Sequence, residues 1–270
     1  MIPTPPIPSQ MPAPPWSSWE KWLQSPPGRY VLGWEQKCFD QIVADVFGFN
    51  AVQIGLPQIN TLSENRMPMQ AILIHSNDSL EYASKYHWHL IEGSSSELPF
   101  ANESLDLVVL PHVLEFATDP HQILREVDRV LRPEGRLIIS GFNPASLWGA
   151  RQYLSRLIGS PYLPRDGQFI GLIRVKDWLQ LLNFSLDRGH FGCYKFPLQG
   201  ISSMNRMDFL EHMGNRWWPI FGAVFVVSAI KRHQGIRMIG QIAPVRVPAI
   251  QQLSPAAKRS KLKEIQDTVN

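Results

Sequence analysis

The sequence predicts an α/β fold built on a mostly parallel sheet with helices on both faces. Three observations carry this expectation. Short β-branched apolar runs alternate with amphipathic stretches from residue 50 onward. Two of these runs, "LDLVVL" (Leu105–Leu110) and "RLIISGF" (Arg136–Phe142), are nearly continuous in apolar character, as expected of strands covered on both sides. Between them lies a helix with both ends legible. Asp119 is placed to cap it, and Pro120 suits its first position, where a fixed φ helps and no N–H is needed. Ile123, Leu124, Val127, Val130 and Leu131 form its apolar stripe, and "RPEG" ends it at Gly135.

The elements follow in order. Residues 1–15 are Pro-rich and expected to be extended and disordered. "WSSWEKWLQ" places Trp16, Trp19 and Trp22 on one helical face, either docked on the core or serving as a partner or membrane-surface anchor. "SPPG" (Ser25–Gly28) reads as a break. "LGWEQKCFDQIVADVFG" reads as a helix ending at Gly48, with Trp34, Phe39, Ile42, Val43 and Val46 buried. Strands are expected at "AVQIGL" (Ala51–Leu56), "AILIHS" (Ala71–Ser76) and "WHLIEG" (Trp88–Gly93), before the two already named. Past Phe142, "NPASLWGARQYLSRLIG" predicts a helix with Leu147, Tyr153, Leu154 and Leu157 inside and Arg151 and Arg156 outside. "RVKDWLQLLNF" is another helix, "SLDRGHFGCYKF" a strand leading into an edge, and "SMNRMDFLEHMG" a helix ending at Gly214. "PIFGAVFVVSAI" (Pro219–Ile230) reads as a buried strand. The tail, 233–270, is basic and expected to be partly disordered.

Composition narrows the function classes. The chain has 270 residues, 44% of them apolar and 18% charged, as in an ordinary globular protein. A net charge of +3 is too small to imply nucleic acid, and no nucleic-acid module is visible. Arg151, Arg156 and Arg165, with the basic tail, read as a solvated face or as a surface for an acidic partner. Cys38 and Cys193 have no metal-ligand spacing; a reducing compartment is the simple reading, with a single disulfide left open. The Pro-rich start resembles no secretory signal, and the longest apolar run is shorter than the roughly 20 residues that a membrane-spanning helix needs. A cytoplasmic protein is expected.

The stretch Ser94–Pro144 contains "LPF", the "LDLVV" strand, "HVLEF" just past it, and a helix closing in "VLRPEGRLIIS". In this order and spacing it resembles the second half of a class I S-adenosylmethionine-dependent methyltransferase domain, of the methyltransferase type 11-like kind. The whole chain, including "GFNPASLWGARQ", also resembles uncharacterised proteobacterial methyltransferases. The resemblance implies a Rossmann-like, seven-stranded, mostly parallel sheet whose last strand is antiparallel. It implies a domain over 16–232, with N-terminal helices and an insertion at 143–183. S-adenosylmethionine would be the cofactor.

In such a sheet ligands bind beyond the carboxyl ends of the strands. The resemblance therefore assigns cofactor contacts to Gly55, Leu56, His75, Ser76, Ser94, Ser95, Leu110 and Pro111. Gly55 matches the first glycine of the family's loop, while Leu56, Pro57 and Gln58 replace the small residues expected after it. His75 stands where a ribose-binding acid is usual, with Asn77 or Asp78 as substitutes, and Ser94 where an acid often meets the adenine amino group. His112 falls at the transfer site, as a base or as a wall residue with no proton role. Glu115 follows it, but Phe116 occupies the position where a metal-using subgroup has histidine, so no metal is expected. Asp106 is read as structural, and Asn143 and Pro144 as capping the following helix or touching substrate. The methyl acceptor is unidentified. Trp148, Tyr162, Trp217 and Trp218 suggest an apolar or aromatic small molecule, bound between the N-terminal helix, the insertion and the segment around Met204–Trp218. The alternative is a pseudoenzyme or binding protein that keeps the fold with a degraded cofactor loop.

Overall fold

The computed structural model describes residues 16–75, 88–158, 167–196, 211, 214 and 216–232. The proline-rich start, the basic tail and most of the predicted 203–214 helix lie outside the described residues. Seven strands form one sheet: β1 (Asn50–Ile54), β2 (Met69–Ile74), β3 (His89–Glu92), β4 (Leu105–Pro111), β5 (Leu131–Phe142), β6 (Phe184–Gly192) and β7 (Val224–Lys231). Their order across the sheet is β3-β2-β1-β4-β5-β7-β6. The first five pair in parallel, and β7 runs antiparallel to both β5 and β6. The order reverses between β1 and β4, which opens a crevice at their carboxyl ends.

Helices cover both faces. α1 (Trp16–Leu23) and α2 (Pro26–Val43) lie on one, and α4 (Pro120–Val130) and α6 (Leu172–Leu181) on the other, while the short α3 (Val113–Phe116) follows β4 directly. Strand alternation divides the core accordingly: Leu107 and Val109 face α1 and α2, while Val108 and Leu110 join Ile123, Leu124 and Val127 of α4. α4 begins where its cap predicts, with the Asp119 carboxylate accepting from His121 N and Gln122 N. It ends at Val130, before "RPEG". That tetrapeptide instead loops out of β5: Leu105 pairs with Leu131, whereas Leu107 pairs with Arg136, and Glu134 takes a left-handed φ of 63°.

Other boundaries also shift. "SPPG" starts α2, with Ser25 as N-cap and Pro26 at the first position, and α2 stops at Val43 instead of Gly48. Trp34 is only half-buried, and Glu35 takes the place expected of it in the core. The 219–230 segment divides: Pro219–Phe221 is a 3-10 turn with Ile220 and Phe221 exposed, and the strand starts at Val224. The largest correction concerns α5 (Leu147–Ile158). Leu147, Tyr153 and Leu154 are exposed, while Trp148 and Gln152 are buried. The Trp148 indole N–H donates to the Lys195 carbonyl at 2.7 Å, which fixes the opposite face inward. Both cysteines are buried and free. Among the described residues, no helix is long and apolar enough to cross a membrane.

Candidate active site

The loop after β1 is organised by one buried side chain. The Gln53 amide nitrogen donates to the carbonyls of Gly55, Leu56 and Ile59 at 3.0, 2.9 and 3.1 Å. Its oxygen accepts from Thr61 N–H and the Thr61 hydroxyl. The buried loop carbonyls, otherwise costly in a dry site, thus find partners. Gly55 and Leu56 both take left-handed φ, 70° and 45°, which only glycine adopts without strain. A Cβ on Gly55 would meet nothing nearer than Val113 Cγ2 at 3.4 Å, so the glycine leaves open space against its backbone. Leu56 and Pro57 turn inward and are buried, which explains how a bulky pair is tolerated beside the crevice.

At the end of β4, His112 adopts φ 53° and is fully buried. Its Nε2 lies 2.9 Å from Glu35 Oε1 of α2, and its Nδ1 lies 2.7 Å from Glu115 Oε2. The other Glu115 oxygen accepts from the backbone N–H of Phe142 at the end of β5. Burial alone would lower the imidazole pKa, but the two carboxylates outweigh it and hold it up at about 10. Burial pushes the Glu115 carboxyl above its ordinary range. The carboxylates approach opposite ring nitrogens, so the imidazole separates them. Among the described residues no group of three or more His, Cys, Asp or Glu side chains is arranged to hold a metal ion.

Trp19 of α1 covers this cluster. Its ring lies 5.1 Å from those of His112, Phe116 and Trp22, and 5.7 Å from Phe142. Glu20, next along α1, accepts from the Gln58 amide of the β1 loop at 2.6 Å. α1 therefore closes over the ends of β1, β4 and β5, and the Trp helix is docked on the core. The ends of β2 and β3 stay accessible: His75 is exposed, and Ser94 and Ser95 are half-buried. Beside the β5 end, a cavity of about 490 Å³ opens between α5 and residues 168–169, lined by Pro144, Gly149, Gln152, Tyr153 and Phe169. Phe169 packs on Phe142 at 5.5 Å, which links this cavity to the His112 cluster.

The structure gathers Gly55, Leu56, Leu110, Pro111 and His112 around the switch point, although Leu110 and Pro111 are buried in the sheet. His75, Ser94 and Ser95 rim its open side; Ser76, Asn77, Asp78, Tyr162 and Arg165 lie outside the described residues. Asp106 is structural, accepting from Phe49 N, Asn50 N and Arg132. Burial alone would raise its pKa; these bonds pull it below the usual carboxylate range. Asn143 does not cap α5. Its amide donates to the carbonyls of Ile220 and Gly222, and Ser146 Oγ accepts from Gly149 N instead. Sequence reasoning missed Glu35, Gln53 and the reach of Trp19 onto His112.

S-adenosylmethionine can be tested against these groups. The open backbone at Gly55 suits the approach of its amino acid end, and the serine hydroxyls of 94 and 95 suit a base edge. Among the described residues no carboxylate stands at the end of β2 to accept the ribose diol; His75 offers a single acceptor nitrogen. The fit holds at two of three contacts, with the third weakened.

Residues 66–139 match the family model described as a methyltransferase domain. A 97-residue stretch is 45% identical to Uncharacterized protein YafS of Escherichia coli K12, covering 36% of this chain and 39% of YafS. A 67-residue stretch is 36% identical to the ubiquinone/menaquinone biosynthesis C-methyltransferase UbiE of Hahella chejuensis, covering 25% of this chain and 27% of that one. The chain thus spans less than half the length of these curated relatives. Its fold is similar to that of a SAM-dependent methyltransferase from Thermotoga maritima described as a possible histamine N-methyltransferase. The TM-score is 0.58 at 18% identity, covering 80% of this chain and 95% of the other. Residues 66–139 are thus similar to a methyltransferase domain, and the sheet as a whole has the Rossmann-like fold of class I S-adenosylmethionine-dependent methyltransferases. This likeness implies S-adenosylmethionine as the cofactor.

Proposed function

We propose that this chain transfers a methyl group from S-adenosylmethionine to a nucleophile on an apolar or aromatic small molecule. The observation that carries the proposal is the left-handed Gly55–Leu56 turn, fixed by Gln53 at the β1/β4 switch point. The cofactor supplies an electrophilic methyl on sulfur. Gly55 would meet its amino acid end, Ser94 and Ser95 its base, and His75 its ribose. The cavity beside Phe169 and Tyr153 offers a flat apolar place for an acceptor, with the amides of Gln152 and Gln168 at its edges. Positioning then does most of the work. His112 is sealed from solvent between two carboxylates, so the reading favours a positioning role for it: it ties α2 to the ends of β4 and β5.

Calorimetry with S-adenosylhomocysteine tests this reading. Saturable one-site binding is expected, lost in Gly55→Val with the circular dichroism unchanged. His75→Asp should tighten it about ten-fold or more, because a charge-assisted hydrogen bond is worth about 1.5–3 kcal/mol. A second reading, a binding protein that has given up the cofactor, is favoured by His75 at the ribose position and by α1 over the β4 and β5 ends. Absence of heat and of any thermal shift at millimolar ligand would establish that reading instead.

A further inference from the structure

The turn after residue 216 holds apolar side chains out of the molecule. Trp217, Trp218, Ile220 and Phe221 are 67%, 55%, 65% and 54% exposed. Leu147, four residues beyond Asn143, is 51% exposed at the same end of the sheet. Four large apolar side chains exposed within five residues of sequence are uncommon on a protein without a partner for them.

The turn is held in place by internal bonds. The buried Asn143 amide donates to Ile220 O at 2.7 Å and to Gly222 O at 3.0 Å. Phe221 N donates to Trp218 O, and Trp218 N to Gly214 O. Gly222 lies so close to Gly192 that a Cβ there would fall 2.6 Å from its backbone nitrogen. These bonds occupy backbone groups that water would otherwise serve, which suits a turn placed in an apolar medium. One exposed cation flanks it. Arg216 is exposed, whereas Glu211 is turned inward, accepting from the Tyr30 hydroxyl and from the N–H groups of Cys193 and Tyr194. Two indoles with aliphatic and phenyl neighbours and a flanking arginine match the headgroup boundary of an anionic bilayer, where amphipathic rings and cations are both favoured.

We infer that the Trp217–Phe221 turn docks this chain on an anionic lipid surface. Docking at this end would set the β5-side cavity close to the lipid. The inference goes beyond methyl transfer and does not depend on it, because S-adenosylhomocysteine calorimetry and vesicle binding are read separately.

Co-sedimentation of the full chain with phosphatidylglycerol-containing and pure phosphatidylcholine vesicles tests it. The expected result is binding to the anionic vesicles that weakens about ten-fold or more in Trp217→Ser/Trp218→Ser/Phe221→Ser, with an unchanged melting temperature. Arg216→Ala should weaken it about five-fold. Three outcomes overturn it: no sedimentation of the unaltered chain, equal binding by the triple variant, or an unaltered chain that is dimeric while the variant is monomeric. The second would place binding in the chain's other basic residues, and the third would make the turn a self-association surface.

Discussion

His112 combines a left-handed backbone, complete burial and a carboxylate on each ring nitrogen. Its folded pKa, near 10, lies above the unfolded value of about 6.5. The stability it contributes is therefore fully present below about pH 6.5 and lost as pH rises through 10. Urea unfolding should show a midpoint falling across that window, and His112→Gln should flatten the fall. Glu35→Leu, which removes one partner from the buried set, should cost about 3–5 kcal/mol. At Gln53 the prediction couples stability to function. Gln53→Leu leaves the loop carbonyls unpaired, at about 1–3 kcal/mol for each buried group, and should weaken S-adenosylhomocysteine binding along with the melting temperature. Gly55 was legible because a glycine at a strand end has a backbone meaning. Gln53 and Glu35 were not, although Glu35 shares the helical face of Val31, Cys38, Phe39 and Ile42. A charge on an apolar stripe is read as an exposed exception until its buried partner, here 77 positions away in sequence at His112, is known.

Elements whose ends carry their own chemistry were the most readable. The α4 cap is set by Asp119 and Pro120 alone, and Asp119→Ala should lower stability by about 1 kcal/mol. α5 shows the limit. Its sequence offers two apolar stripes, and periodicity does not decide which one faces the core; the hydrogen bond from Trp148 to Lys195 does. α1 was expected either to dock or to anchor, and Trp19 against His112, Phe116 and Phe142 shows it docked. Trp19→Ala should cost about 3–5 kcal/mol, as for other large buried aromatics, and should expose the His112 cluster to solvent. Fluorescence-detected unfolding checks the first effect. Exchange of the imidazole protons in NMR spectra checks the second.

At the scale of the molecule, the sheet was legible because the near-continuous runs at Leu105–Leu110 and Arg136–Phe142 require cover on both faces, and the structure supplies two separate cores. Strand order was not contained in periodicity; the motifs from Ser94 to Pro144 implied only a seven-stranded, mostly parallel sheet with its last strand antiparallel, and the order is read from the structure. The cofactor contacts were only partly legible, since the Gly55 turn depends on Gln53 and the crevice depends on how α1 closes it. All of this turns on a cofactor occupying the β1/β4 crevice. A crystal structure of the chain grown with S-adenosylhomocysteine tests it directly. The ligand's amino acid end is expected against the Gly55 backbone and its base beside Ser94 and Ser95. A crevice without ligand at saturating concentration, with α1 and the Gly55–Leu56 turn unchanged, would contradict it.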